Sequence, residues 1–326
     1  MPRDGRIYVA GHTGLVGSAL LRRLGVMGYS RIATASHADC DLSNRNAVQE
    51  FFRRESPEYV FLAAAKVGGI LANNRYPADF IRENLAIALN VIDESYRAGV
   101  RRLLFLGSSC IYPRDAQQPL KEEYLLSGPL ESTNRPYALA KIAGIEMCWS
   151  YNRQYRTKFL SVMPTNLYGP GDNYDPENSH VLPALIRKMH EAKERAADSV
   201  VIWGTGSPRR EFLFSDDLAE ACVFLMDLPD DHFDSLAGQA DRCPIINIGC
   251  GEDLPIADLA RTVAEVVGFK GKLVYDYSKP DGTPRKLLDV SRIRTLGWAP
   301  ATSLQQGISI AYCDFLNRYK SMATRH

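Results

Sequence analysis

Short, unbroken apolar runs alternate with amphipathic stretches from the first residues onward, and this alternation restricts the chain to a small set of folds. RIYVAG at residues 6–11 is followed by LVGSALLRRLG, RIATA by RNAVQEFFRR, and YVFLAAA by a long segment from near Ile81 to Ala98. RRLLFLG then leads to a segment from Tyr137 to Tyr155, and FLSVMP follows. A strand that reads apolar throughout is covered on both faces, and helix-length connections make neighbouring strands parallel. The pattern predicts a doubly wound α/β domain built on a parallel sheet.

Composition narrows the partners. Lys plus Arg total 39 against 38 Asp plus Glu, a net charge of +1, so no global field draws the chain to nucleic acid or to an anionic membrane. No stretch approaches the ~20 consecutive apolar residues of a membrane span. The N-terminus runs directly into a strand and a glycine loop, so a cytoplasmic protein with a small-molecule partner is expected. Cys40, Cys110, Cys148, Cys222, Cys243, Cys250 and Cys313 are odd in number and include no CxxC pair, which predicts neither a disulfide framework nor a metal site.

The segment GHTGLVG places Gly11, Gly14 and Gly17 between the first strand and the first helix, with His12, Thr13, Leu15 and Val16 among them. A tight turn would explain the glycines alone. In the first βα unit of such a pattern, the backbone amides and the helix N-terminus instead predict dinucleotide binding. The second strand ends in ATASHAD, with Ser36 and His37 where a carboxylate would hold the NAD ribose. Lacking that carboxylate, the site favours NADPH, while the nearby Asp39 leaves NAD open. Asp41 and Leu42 are placed against the adenine, with Asp41 or Ser43 as the alternative cap of the next helix.

After Met163 the texture changes to PTNLYGPGDNYDPENSH, which marks a long functional loop or a domain edge. Regular patterning returns at VLPALIRKMHEAKERA, SDDLAEACVFLMDL and IADLARTVAEVVG, where Asp216 and Asp217 read as helix-start residues. The expected division is a Rossmann domain over residues 1–168 plus about 212–236, and a smaller α/β substrate-binding domain over 169–211 and 237–326.

Two further segments bear chemistry. LGSSCIYP lifts Ser108, Ser109 and Cys110 out of a buried strand, and YALAK sets Tyr137 and Lys141 four apart on one helix face. An ammonium beside a phenol is expected to lower the Tyr137 pKa and ready it for proton transfer to a carbonyl oxygen, with Ser108 as second donor.

Together the nucleotide loop, Ser108, Tyr137 and Lys141 resemble the extended short-chain dehydrogenase/reductase family, over nearly the whole chain. LAAAKVGGI, NNRYPADF, LGSSCIYP, YALAKIAGIEMC, MPTNLYGPGDNY, NSHVLPALI and SKPDGTPRKLLD look like the branch that epimerises a GDP-4-keto-6-deoxyhexose at C3 and C5 and reduces it at C4 with NADPH. The resemblance implies that Cys110 and His180 exchange protons with the carbons flanking the ketone. It places Lys141, His180, Pro164, Thr165, Asn166 and Leu167 at the cofactor, and Ser108, Lys188, Trp203, Arg210 and Asp281 at the GDP-sugar. A nucleotide diphosphate needs cations and its base an aromatic surface, although each of these residues also fits a surface charge or a core aromatic.

The resemblance further implies a homodimer formed through the helices at Ile81–Ala98 and Tyr137–Tyr155. Two departures stand out: Thr13 and His37 occupy positions where familiar members carry Arg. The alternatives are a related GDP-sugar epimerase/reductase of the colitose or 4-keto-heptose type and a non-catalytic nucleotide sensor. An NAD-dependent 4-epimerase has no need of Cys110 and His180. A 4,6-dehydratase usually carries Asp and Glu where this chain has Ser109 and Cys110.

Overall fold

The computed structural model describes residues 1–175, 179–238, 240–279 and 281–323. The chain runs β1 (Ile7–Ala10), α1 (Leu15–Val26), β2 (Ile32–Ala33), α2 (Arg45–Glu55), β3 (Tyr59–Leu62), α3 (Ile70–Arg75), α4 (Pro77–Arg97), β4 (Arg102–Leu106), α5 (Arg135–Tyr155) and β5 (Phe159–Pro164). It continues through β6 (Asn166–Tyr168), α6 (Val181–Glu194), β7 (Ser199–Trp203), β8 (Arg209–Arg210), β9 (Phe212–Phe214), α7 (Ser215–Asp227) and α8 (Asp230–Ala237). The last elements are β10 (Ile245–Ile248), β11 (Leu254–Pro255), α9 (Ile256–Val267), β12 (Lys272–Asp276), β13 (Arg285–Lys286), α10 (Ser291–Thr295) and α11 (Leu304–Ala323).

Six parallel strands form the main sheet in the order β10-β5-β4-β3-β1-β2. Strands β1, β3, β4 and β5 are buried at every position, as their unbroken apolar sequences require. Helices α1 and α7 pack together, as do α2, α4 and α5. The β2 strand is shorter than RIATA suggested. It lies at the sheet edge against β1 alone, and both its residues are half-exposed. Helix α4 begins at Pro77, four residues before Ile81, because proline is suited to a first turn where no amide need be donated.

One domain boundary is corrected. Residues 245–248 fall within the span expected for the substrate domain, yet β10 pairs with β5 and completes the main sheet. Val290, Ile293 and Trp298 join the same core. The physical reason is that β5 has two edges, and without β10 one row of its amides and carbonyls would be buried unpaired.

The second core gathers Leu182, Ile186, Met189, Leu259, Val263, Ile308 and Phe315, where α6, α9 and α11 pack together. Small sheets flank it: β7 with β12, and β8 between β11 and β13. The β6–β9 pair bridges the two cores, with Leu213 in the first and Phe212 and Phe214 in the second.

Candidate active site

The glycine loop follows from steric limits. Gly11 has φ +85, a region that strains any L side chain, and a Cβ there would lie 2.7 Å from the Ala64 backbone. A Cβ on Gly17 would collide with the Gly11 carbonyl, so α1 starts directly against the loop. Helix α1 has no side-chain cap and no acidic residue in its first turn, leaving its positive end open to a pyrophosphate. The His12 Nδ1 is buried without a hydrogen-bond partner, and Thr13 is exposed. Leu15 is half-buried, and Val16 packs on the core behind the loop. This is a cradle that a dinucleotide would fill.

At the end of β2, the Ser36 hydroxyl donates to Asp39 at 2.5 Å, and that bond is the main cause of a lowered Asp39 pKa. His37 stands largely in solvent. Asp41 accepts from the Ser43 amide and hydroxyl at 2.9 and 2.8 Å, which lowers its pKa. The cap of α2 is neither of these residues. Asn44 accepts from the Asn46 and Ala47 amides, because its side chain alone stands at the helix entrance with its oxygen aimed at both donors. The Leu42 carbonyl accepts from Asn90, which ties this loop to α4.

Strand β4 ends at Leu106, and a 3-10 turn over Ser109–Ile111 folds Cys110 back so that its amide donates to Ser108 Oγ at 3.4 Å. Tyr137 and Lys141 reach the same place from α5. Gly144 allows the helix to lie against Phe105, since a Cβ there would meet that ring at 2.5 Å. At this separation Lys141 Nζ donates to the Leu106 carbonyl at 2.7 Å and lies 5.7 Å from the Tyr137 ring centroid. Burial lowers the Lys141 pKa to about 8.

The expected depression of the Tyr137 pKa is overturned. Burial raises it, the neighbouring Cys110 raises it further, and a hydrogen bond with Ser108 opposes the rise. The Lys141 ammonium is held by its hydrogen bond against the Leu106 carbonyl, 5.7 Å from the Tyr137 ring centroid, and desolvation is the largest influence on the phenol. Tyr137 is therefore held as a protonated donor. Cys110 is likewise raised by burial, against the opposing charges of Lys286 and Lys141. His180 sits just before α6, open to the cleft but enclosed by enough protein that desolvation, then Lys286, lowers its pKa.

Downstream of Tyr137, Pro164 ends β5. Thr165 and Asn166 both donate to the Glu211 carbonyl, at 3.2 and 2.8 Å, and Leu167 packs on the first core. Lys188 Nζ lies 5.2 Å from the exposed Trp203 ring, and Lys279 Nζ lies 5.5 Å from it. The Asp281 carboxylate is engaged internally, accepting from the Thr205 amide and hydroxyl at 2.9 and 2.7 Å, which fixes the turn beside Trp203.

The charges on β8 and β13 are sorted by strand geometry. The strands pair in register, Arg285 opposite Arg209 and Lys286 opposite Arg210, and successive side chains point to opposite faces. Arg209 and Arg285 share the buried carboxylate of Asp253 at 2.7 and 2.5 Å. Arg210 and Lys286 form no ion pair among the described residues, and burial lowers the pKa of both. Arg210 donates to the Arg209 and Thr283 carbonyls. Lys286 is within electrostatic reach of Cys110, Arg210, Glu131 and His180. Lys286 belongs to no motif legible in the sequence; its one local signal is a cation directly before the buried pair Leu287–Leu288.

A glycine loop and a Ser–Tyr–Lys set gathered at the carboxyl ends of parallel strands define a nucleotide-dependent oxidoreductase or epimerase. The chain belongs to the NAD dependent epimerase/dehydratase family, whose model matches residues 7–249. It is 56% identical over 312 residues to a putative GDP-L-fucose synthase 2 of Arabidopsis thaliana, covering 96% of this chain and 92% of that protein. It is 52% identical over 311 residues to the GDP-L-fucose synthase of Escherichia coli strain K12, covering 95% and 96%. Among solved structures, a GDP-D-glycero-L-gluco-heptose synthase from Campylobacter jejuni, crystallised in the presence of NADPH, superposes with a TM-score of 0.87. The two are 39% identical and cover 97% and 99% of the respective chains. No helix among the described residues is long and apolar enough to cross a membrane.

Proposed function

We propose that this chain converts GDP-4-keto-6-deoxy-D-mannose to GDP-L-fucose by 3,5-epimerisation and NADPH-dependent 4-reduction. The observation that carries the reading is the convergence of a thiol, Cys110, on the Ser108, Tyr137 and Lys141 group, beside two cations that form no ion pair among the described residues. Hydride transfer alone has no use for the thiol. Identity above 50% over almost the full length to proteins named for this reaction supports the substrate.

The chemistry follows from the ketone. Hydrogens on C3 and C5 are acidic because the charge left behind moves onto the C4 oxygen, where Ser108 and Tyr137 donate hydrogen bonds. Cys110 and His180 take and return those protons. NADPH, when held by Gly11–Gly17, Lys141 and the Pro164–Leu167 segment, supplies hydride to C4. Tyr137 then gives its phenolic proton to the oxygen, completing the alcohol. Arg210 and Lys286, together with Lys188, hold the diphosphate, and Trp203 supplies an apolar face for the guanine.

The reading includes a homodimer. Leu85, Leu89 and Tyr96 are exposed along one stripe of α4, and Leu139 is exposed on the adjoining α5. A second copy covering both helices is the partner that the notable apolar exposure there supports. A cytoplasmic location accompanies it, a compartment that keeps the Cys110 thiol reduced.

The test is incubation with GDP-4-keto-6-deoxy-D-mannose and NADPH in deuterated water. NADPH oxidation with deuterium at C3 and C5 of the product is expected. Absence of turnover with either nicotinamide cofactor would favour a nucleotide sensor, and reduction without deuterium would leave a plain reductase.

A further inference from the structure

We propose that Glu211 is a positioning residue, whose buried carboxylate fixes the strand that presents Lys286 to Cys110. This rests on the proton-transfer role given to Cys110 above. Glu211 follows Arg210 directly but is fully buried. Its two oxygens reach different segments: one accepts from the Gly251 amide at 2.7 Å, the other from the Leu288 amide at 3.0 Å. Its carbonyl accepts from Thr165 and Asn166 of the nicotinamide-side loop. Gly249 completes the niche, since a Cβ there would collide with the carboxylate.

One residue thus joins three segments: the β5–β6 junction, the loop after β10, and the continuation of β13. Leu288 lies two residues beyond Lys286. The same segment is held from the Cys110 side, where Leu287 donates to Gln118, Leu120 donates to Leu287, and Asp289 donates to Leu120. Glu211 supplies the opposing anchor. A carboxylate taken wholly out of water and met only by amides and a hydroxyl or thiol is costly to fold, and among the described residues it forms no ion pair. Its return is orientation of the functional cation nearby.

The readout is the Cys110 thiol itself, faced by Lys286 from β13, by Lys141 and Tyr137 from α5, and by Ser108 from its own turn. Thiolate absorbance of the full-length protein is titrated with pH, each variant being referenced to its own Cys110→Ser counterpart. Lys286→Met is expected to raise the Cys110 midpoint by about one pH unit, because a cation favouring the thiolate is gone. Glu211→Gln is expected to raise it by half of that or more, and to add nothing in a Lys286→Met background. A Glu211→Gln protein that melts lower but keeps the wild-type Cys110 midpoint overturns the proposal. If that variant does not fold, Gly249→Ala presses on the same carboxylate and must move the midpoint upward, and an unmoved midpoint refutes it equally. If Lys286→Met itself leaves the midpoint in place, the link from Lys286 to Cys110 fails and the inference with it. NADPH oxidation by the wild-type protein then still decides the proposed reaction separately.

Discussion

Replacing Lys141 with Met should abolish reduction and yet stabilise the cofactor-free protein. Lys141 is 4% exposed and its pKa is lowered to about 8 from 10.5. Below pH 8 both folded and unfolded forms carry the ammonium, and the folded form bears the full cost of burying it. As pH rises through 8 the folded protein sheds the proton while the unfolded chain keeps it until about 10.5, so the cost fades across that window. The displacement corresponds to about 3 kcal/mol, or roughly 4 °C in melting midpoint for a chain of this length. Methionine fills a similar volume but leaves the Leu106 carbonyl without its 2.7 Å donor, a loss of about 1–2 kcal/mol that does not vary with pH. The variant is therefore expected to melt about 2 °C above wild type at pH 7. That advantage should disappear and reverse by pH 10. Melting curves of both proteins, without cofactor, from pH 7 to 10 check this. A gap independent of pH would show that Lys141 titrates like a solvated lysine and would remove the burial argument.

Four other variants have expected outcomes. Tyr137→Phe should lose C4 reduction while binding NADPH normally, measured by quenching of protein fluorescence, because the phenol is held as a proton donor. Cys110→Ser should lose deuterium uptake at the epimerising carbons with little change in cofactor affinity, and His180→Asn should impair the same exchange. Normal exchange in either variant would exclude that residue from proton transfer. Arg210→Met should raise KM for the GDP-sugar by roughly 30-fold, about 2 kcal/mol of charged hydrogen bonding, and weaken the salt dependence of KM. An unchanged KM would mean that the diphosphate binds elsewhere.

Much of the fold was legible because its signals are local. Continuous burial of β1, β3, β4 and β5 is written as apolar runs, and Pro77 marks the start of a helix. The glycine loop was readable for the same reason, since a strand-to-helix turn with this backbone admits few residues. The protonation state of each candidate site group was not legible. Tyr137 and Lys141 stand four residues apart, as the spacing requires, but whether the ammonium lowers the phenol's pKa depends on how deeply the phenol is buried. Here burial outweighs every opposing influence, and the ammonium is turned to the Leu106 carbonyl. The place of β10 in the main sheet is not legible either, because an apolar run does not say which sheet edge it will pair with.

By itself, the sequence determined an alternating α/β chain with a dinucleotide loop, a hydroxyl and thiol at one strand end, and a phenol and an amine on one helix face. Tertiary structure alone decided the charges. Four cations lie at positions 209, 210, 285 and 286, and no pattern in RR or RK says which are available. Register between two short strands turned Arg209 and Arg285 toward Asp253 and left Arg210 and Lys286 on the other face, without an ion pair among the described residues. Burial then set the protonation of Cys110, Tyr137 and Lys141. The physical reason is that desolvation and pairing depend on distances between residues far apart in the chain, which only folding sets.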